Sequence, residues 1–126
     1  MKTTRLPDKY TVLAPDGSEI RELVAVKGGS MVHCTLPPGA VSLAVTHCAV
    51  EEVWFFLKGR GQVWRKDGER ETVVDVEPGL SLTIEIGAHF QFQNTGDEDL
   101  RFIIVTMPPW SDSDEAMRVQ DYWKAE

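Results

Sequence analysis

A histidine and a carboxylate five positions apart, His47 and Glu52, are the residues of this chain best suited by type and spacing to do chemistry. They lie in GAVSLAVTHCAVEEVWFFLKGRG, residues 39–61. Its order is a turn glycine, an apolar strand ending in His47, a short link, Glu52, a second apolar strand and another glycine turn. Two neighbouring antiparallel strands joined in this way bring the imidazole and the carboxylate together at facing ends. Inside a barrel, burial would raise the pKa of Glu52 and a protonated His47 would lower it. Either outcome leaves a pair able to exchange a proton with a ligand near neutral pH. The catalytic candidates are therefore His47 and Glu52.

The walls of such a pocket follow from strand alternation. Trp54 and Phe56 share a face with Glu52, Leu43 and Val45 share one with His47, and Phe90 and Phe92 add two rings from a facing strand. With His33 of an earlier strand, Val45, Trp54, Phe56, Phe90 and Phe92 are the expected ligand pocket. An interior this rich in rings and poor in polar groups suits a small, flat or mostly apolar ligand fixed by one or two hydrogen bonds. The same rings are equally the core of a small barrel. The pairs His33-Cys34 and His47-Cys48 imitate a zinc site in sequence. Adjacent strand residues point to opposite faces, so one ion cannot take both members of either pair.

The elements that carry these residues are short strands. SMVHCTL (30–36), residues 40–47 and 52–57, QVWR (62–65), ETVVDV (71–76), SLTIEI (81–86), FQFQ (90–93) and LRFIIVTM (100–107) are separated by Pro37-Pro38-Gly39, Asp67-Gly68, Pro78-Gly79 and Asn94-Thr95-Gly96. No helical period precedes residue 110, so an all-β sandwich or barrel is expected. The 126 residues make one domain: an arm at 1–22, a barrel at about 23–107 and a tail at 108–126. Ser111 or Asp112 could cap one helical turn in that tail, and Trp110, Tyr122 and Trp123 should pin it to the barrel. A net charge of −7 argues against nucleic acid and anionic lipid as partners. The first twenty residues lack a signal-peptide core and no stretch is long and apolar enough to span a bilayer, so a cytoplasmic location is expected. Cys34 and Cys48 are read as reduced thiols.

Residues 39–61 and 79–94 resemble the two signature motifs of the cupin superfamily, whose members are double-stranded β-helix barrels of jelly-roll type. Gly39, His47, Glu52 and Gly59 keep the first frame, with Val45 where its first histidine belongs. Gly79, Gly87 and Asn94 keep the second, with Glu85 in place of proline and Phe90 in place of histidine. In family members with a complete set, three histidines and the glutamate bind a divalent transition metal. Here the resemblance leaves only His47 and Glu52, a weak hold, with His33 or His89 as substitute ligands if either points inward. His89 lies one residue before the ligand position, and a one-residue shift turns a side chain to the other face.

The expected site is therefore a degenerate metal site with no cofactor firmly implied, and a divalent metal left open. The resemblance also implies a homodimer, paired through strands and an extended terminus. Three functional classes stay open: an isomerase, dehydratase or cyclase working through His47 and Glu52 without metal or weakly assisted by one, a non-catalytic small-molecule-binding barrel, and a metal-dependent, dioxygenase-like cupin.

Overall fold

The computed structural model of the chain describes residues 1–110 and 116–125. Its described residues form β1 (Val12–Leu13), β2 (Glu19–Val26), β3 (Gly29–Leu36), β4 (Val45–His47), β5 (Glu51–Lys58), β6 (Gly61–Asp67), β7 (Arg70–Val76), β8 (Ser81–Ile84), β9 (His89–Asn94), β10 (Leu100–Met107) and β11 (Ala116–Arg118). Two sheets result, β1-β2-β3-β10-β5-β8 and β11-β4-β9-β6-β7, and every pairing is antiparallel. No helix is among the described residues, and hence none long and apolar enough to cross a membrane. The helical turn expected from Ser111 or Asp112 lies outside the described residues.

Alternation builds the core as the sequence pattern implies. Ile20, Cys34, Phe102 and Phe56 lie opposite one another across β2, β3, β10 and β5, and all four are essentially sealed from solvent. Trp54 packs against this rung and meets four rings, those of Phe56, Phe90, Phe92 and Phe102, at centroid distances of 4.7 to 6.2 Å. Contacts of this kind contribute about 0.5–1.5 kcal/mol each beyond the area they bury. The interior is thus closed by rings drawn from both sheets.

Three boundaries differ from the sequence reading. β2 begins at Glu19, not at residue 23, so the arm supplies β1 and half of a central pairing. Its Arg21 is buried and donates to the carbonyls of Pro7 (2.9 Å) and Asp8 (3.0 Å) and to Thr35 Oγ1 (3.2 Å), fastening residues 7 and 8 over the sheet. The strand expected over 40–47 is regular only from Val45. Its earlier amides go elsewhere: Ser42 N to the Phe92 carbonyl, Leu43 N to the Asp16 carbonyl and Ala44 N to Asp121 Oδ1. β8 stops at Ile84, because the chain turns at Glu85 to Ala88, with Gly87 at φ +82°. Gly59 has a steric reason to be glycine: at φ +86°, a Cβ there would stand 2.5 Å from the Asp99 carbonyl oxygen.

The tail is held against the five-stranded sheet. β11 pairs with β4, placing Ala116 opposite His47 and Arg118 opposite Val45. Beyond it, buried Gln91 donates to the carbonyls of Ser42 (2.8 Å) and Trp123 (2.7 Å) and accepts from the amides of Tyr122 and Trp123 (2.8 Å each). Tyr122 stacks on Trp64 at 5.3 Å. A fully buried primary amide with this many partners satisfies backbone groups that would otherwise face an apolar sheet.

Candidate functional site

His47 ends β4 and Glu52 follows the first residue of β5, but the two strands are not neighbours in one sheet. β4 lies between β11 and β9, and β5 between β10 and β8. The side chains therefore meet across the interior, not side by side along a ladder. His47 Nε2 stands 3.5 Å from Glu52 Oε2, and Trp54 Nε1 donates to Glu52 Oε1 at 2.8 Å. Both His47 and Glu52 are buried. Glu52 and Trp54, two apart on one strand, share the inward face as alternation requires.

These groups line a cavity of about 30 Å³. That is room for one or two water molecules. Val45, Trp54 and Phe90 form its walls, as the sequence suggested. Phe56 and Phe92 do not: they lie in the ring-packed core behind Trp54. His33 is also outside it. His33 pairs with Ile103 and Arg21 while its neighbour Cys34 joins the core, so the imidazole faces the outer side of the six-stranded sheet. Burial first, then the nearby Arg101 and Arg21 guanidinium groups, push its pKa down. His89 lies opposite Thr46 and Lys66 on the outer side of the five-stranded sheet, beside a surface cleft with Trp64 and Tyr122. Neither histidine reaches Glu52. Cys34 is buried, while Cys48 is exposed and its Sγ lies 3.3 Å from Met117 Sδ, so the two thiols share no site.

The cavity includes three groups that the sequence reading left aside. Asp16 sits in the turn between β1 and β2, where its Oδ1 accepts from Ser18 N (2.9 Å) and Ser18 Oγ (2.6 Å). Trp110 and Ala116 come from the tail, with Trp110 N donating to Ser30 Oγ at 2.7 Å. The Asp-Gly-Ser stretch announced a turn, since an aspartate there bonds the backbone two residues on. Nothing local announced that this turn would close the barrel mouth; that depends on the long-range bond from Leu43 N to the Asp16 carbonyl.

The electrostatics are those of a carboxyl group withdrawn from water. Burial raises the pKa of Glu52 to about 7; the Trp54 hydrogen bond opposes the shift and the charge of Asp16 adds to it. Burial also raises Asp16, against the pull of its two bonds from Ser18. Two carboxyls that each resist ionising thus share one small cavity with an imidazole.

As a metal site the residues do not fit. Val45 and Phe90 lie directly opposite each other on β4 and β9, filling two of the four ligand positions of the motif with apolar groups, and Phe90 packs 5.6 Å from the rings of both His47 and Trp54. Among the described residues, no three His, Cys, Asp or Glu side chains are grouped so as to hold an ion. The motif positions thus supply two donors, fewer than the three or four of transition-metal sites, and Asp16 is not grouped with them into a third, its Oδ1 being held by Ser18.

A family model described as a cupin domain matches residues 32–106. An uncharacterised protein of Methanocaldococcus jannaschii is 30% identical over 107 residues, covering 81% of this chain and 82% of that protein. Among solved structures, the capsular polysaccharide assembling protein CapF from Staphylococcus aureus superposes with a TM-score of 0.70 at 14% identity, over 86% of this chain. The matched part is only 33% of the CapF chain. An uncharacterised conserved protein with a double-stranded β-helix domain from Klebsiella pneumoniae gives 0.69 at 15% identity, over 89% of this chain and 92% of that one.

Proposed function

The chain belongs to the cupin family, and we propose that it is a small-molecule cupin running proton-transfer chemistry through Glu52 and His47 with no tightly held metal. One observation carries the reading: a buried carboxyl with a pKa of about 7 stands 3.5 Å from a buried imidazole at the edge of a cavity. A group poised near neutral pH is effective both at taking a proton and at giving one back. Glu52 would remove a proton from one atom of the ligand, and Glu52 or His47 would return one to another atom or to a leaving hydroxyl. That balance describes an isomerisation, a dehydration or a cyclisation, none of which needs an oxidant. Trp54 holds one carboxylate oxygen in place so that the other faces His47.

The cavity as it stands is smaller than any such ligand. Entry therefore requires part of the mouth, the Asp16 turn or the tail residues Trp110 and Ala116, to move aside. The apolar walls of Val45, Trp54 and Phe90 support a second reading, a barrel that binds a ligand without converting it. A thermal-shift screen with small carbonyl and hydroxy-acid compounds, followed by product analysis of the hits, separates the two. Turnover that survives chelation and disappears in Glu52→Gln supports proton transfer. Saturable binding with no product supports the second reading, and turnover that returns only with added metal overturns the first.

A further inference from the structure

We propose that the cleft on the outer face of the five-stranded sheet, between the strands and the tail, binds an uncharged, hydroxyl-rich ring, the chemistry of a monosaccharide. The cleft holds about 350 Å³ and shares no lining residue with the barrel cavity, so the inference stands apart from the proton transfer proposed for Glu52. One side is a row across three strands: Glu71 of β7 and His89 of β9 each stand directly opposite Lys66 of β6. The other side is the tail, through Gln120, Asp121 and Tyr122. These walls are fixed from behind. Asp121 Oδ1 accepts from the Ala44 amide (2.9 Å) and from Arg118 (3.2 Å), and Gln91 holds the amides of Tyr122 and Trp123. Tyr122 stacks on Trp64, whose Nε1 donates to Glu71 at 3.2 Å. A site on elements held this firmly keeps its shape without a ligand.

The lining selects the class of ligand. The Lys66 ammonium, the His89 ring, the Gln120 amide and the Tyr122 hydroxyl have no partner among the described residues, yet all line the one cleft. Such groups bond to water, and a ligand that replaces the water must supply donors and acceptors in the same places. One ammonium stands against two carboxylates, Glu71 and Asp121, so a phosphate or sulfate finds no excess of cations. A hydroxyl donates and accepts at once, so several on one ring satisfy carboxylates and an ammonium together. Tyr122 is 50% exposed, and the negative face of its ring attracts the weakly positive C–H groups on one side of a sugar. A purely aromatic ligand would leave the polar wall unpaired. The volume lies near the lower end of the roughly 300–1,000 Å³ of small-molecule pockets, which suits one sugar unit and not a chain of them.

Calorimetry and NMR of the full chain with glucose, galactose, mannose, N-acetylglucosamine and inositol test this, with inorganic phosphate and adenosine as competing probes. At least one of the five should bind saturably with a Kd of roughly 0.1–10 mM. Of the three histidines, only His89 should shift its ring resonances on binding, because His47 lies in the barrel cavity and His33 on the other sheet. Lys66→Ala and Tyr122→Ala should each weaken binding by roughly tenfold. Lys66 is exposed and touches nothing in the tail, so its variant reads the site even where Tyr122→Ala loosens the tail. Absence of binding by all five at roughly 10 mM overturns the proposal. So does binding of adenosine or phosphate in their place, which would make this a base-stacking or an anion site. Sugar binding that leaves His89 unmoved, or that is indifferent to Lys66→Ala, places the ligand elsewhere and overturns it too.

Discussion

Replacing Glu52 by glutamine isolates what burial does to the carboxyl. Glutamine has the same shape, can still accept from Trp54 Nε1 and can still face His47, but it cannot ionise. The native Glu52 has a pKa of about 7 against 4.5 for an unhindered glutamate, so the folded state holds this proton more tightly than the unfolded chain does. Folding stability from Glu52 is then fully present below about pH 4.5 and drains away as pH rises, until it is gone above about pH 7. At 1.36 kcal/mol for each pH unit, the interval is worth roughly 3 kcal/mol.

The expected result is a difference curve. Urea unfolding of wild type and Glu52→Gln from about pH 4 to about pH 9 should give near-equal stabilities at the acid end. The variant should gain on the wild type through the interval and lead by roughly 3 kcal/mol at the alkaline end. Taking the difference cancels His33, whose depressed pKa removes stability from both proteins as pH falls below about 6.5. Asp16→Asn should shrink the gap, because the Asp16 charge is one of the causes that raise Glu52. A gap that does not change with pH would show that Glu52 is as well solvated as a surface acid. A wild type that gains on the variant as pH rises would show an ion pair with protonated His47 outweighing burial. Either result removes the basis for Glu52 as a neutral-pH acid and base.

Other consequences are checked as directly. Phe102→Ala removes a ring that lies 4.7 Å from both Trp54 and Phe56, and should lower stability by roughly 3–5 kcal/mol in chemical denaturation. Gln91→Ala unfastens Tyr122 and Trp123, and should cost roughly 2 kcal/mol and expose the tail to carboxypeptidase while the barrel stays folded. Wild-type protein titrated with zinc or manganese should show no saturable site at roughly micromolar concentration by calorimetry, whereas Val45→His with Phe90→His restores a four-donor set and should show one.

The fold was legible because its signals are local. Glycine and proline turns, period-two alternation and frame positions such as Gly59 and Asn94 all report backbone requirements that act within a few residues. Asn94 shows the link: its side chain donates to the carbonyls of Leu36 and Glu98 and accepts from Gly96 N, tying a turn to the end of β3. The inward set of β5 was legible for the same reason. What escaped was everything decided by distant partners. The pairing of His47 with Glu52 was expected, but its route across the two sheets, the mouth position of Asp16 and the orientation of His33 follow from strand order, which no window of sequence contains. Alternation gave His33 a face of β3 but did not say which face met the core.

The two apolar residues at the motif's ligand positions also explain each other. Val45 and Phe90 are direct cross-strand partners, so their side chains form one contact, and an apolar pair there supports the β4–β9 ladder. A single histidine opposite Phe90 would be a buried polar group with no ion to satisfy it, at a cost of about 1–3 kcal/mol. Partial ligand sets are therefore less stable than either a complete cage or a fully apolar wall. The retained Glu52 is the group that does not fit this simplification, because an unused carboxyl in an apolar wall carries the burial cost that raises its pKa. Leucine or glutamine at that position would remove the cost, and the proton transfer proposed for Glu52 is the reading that gives the carboxyl a use.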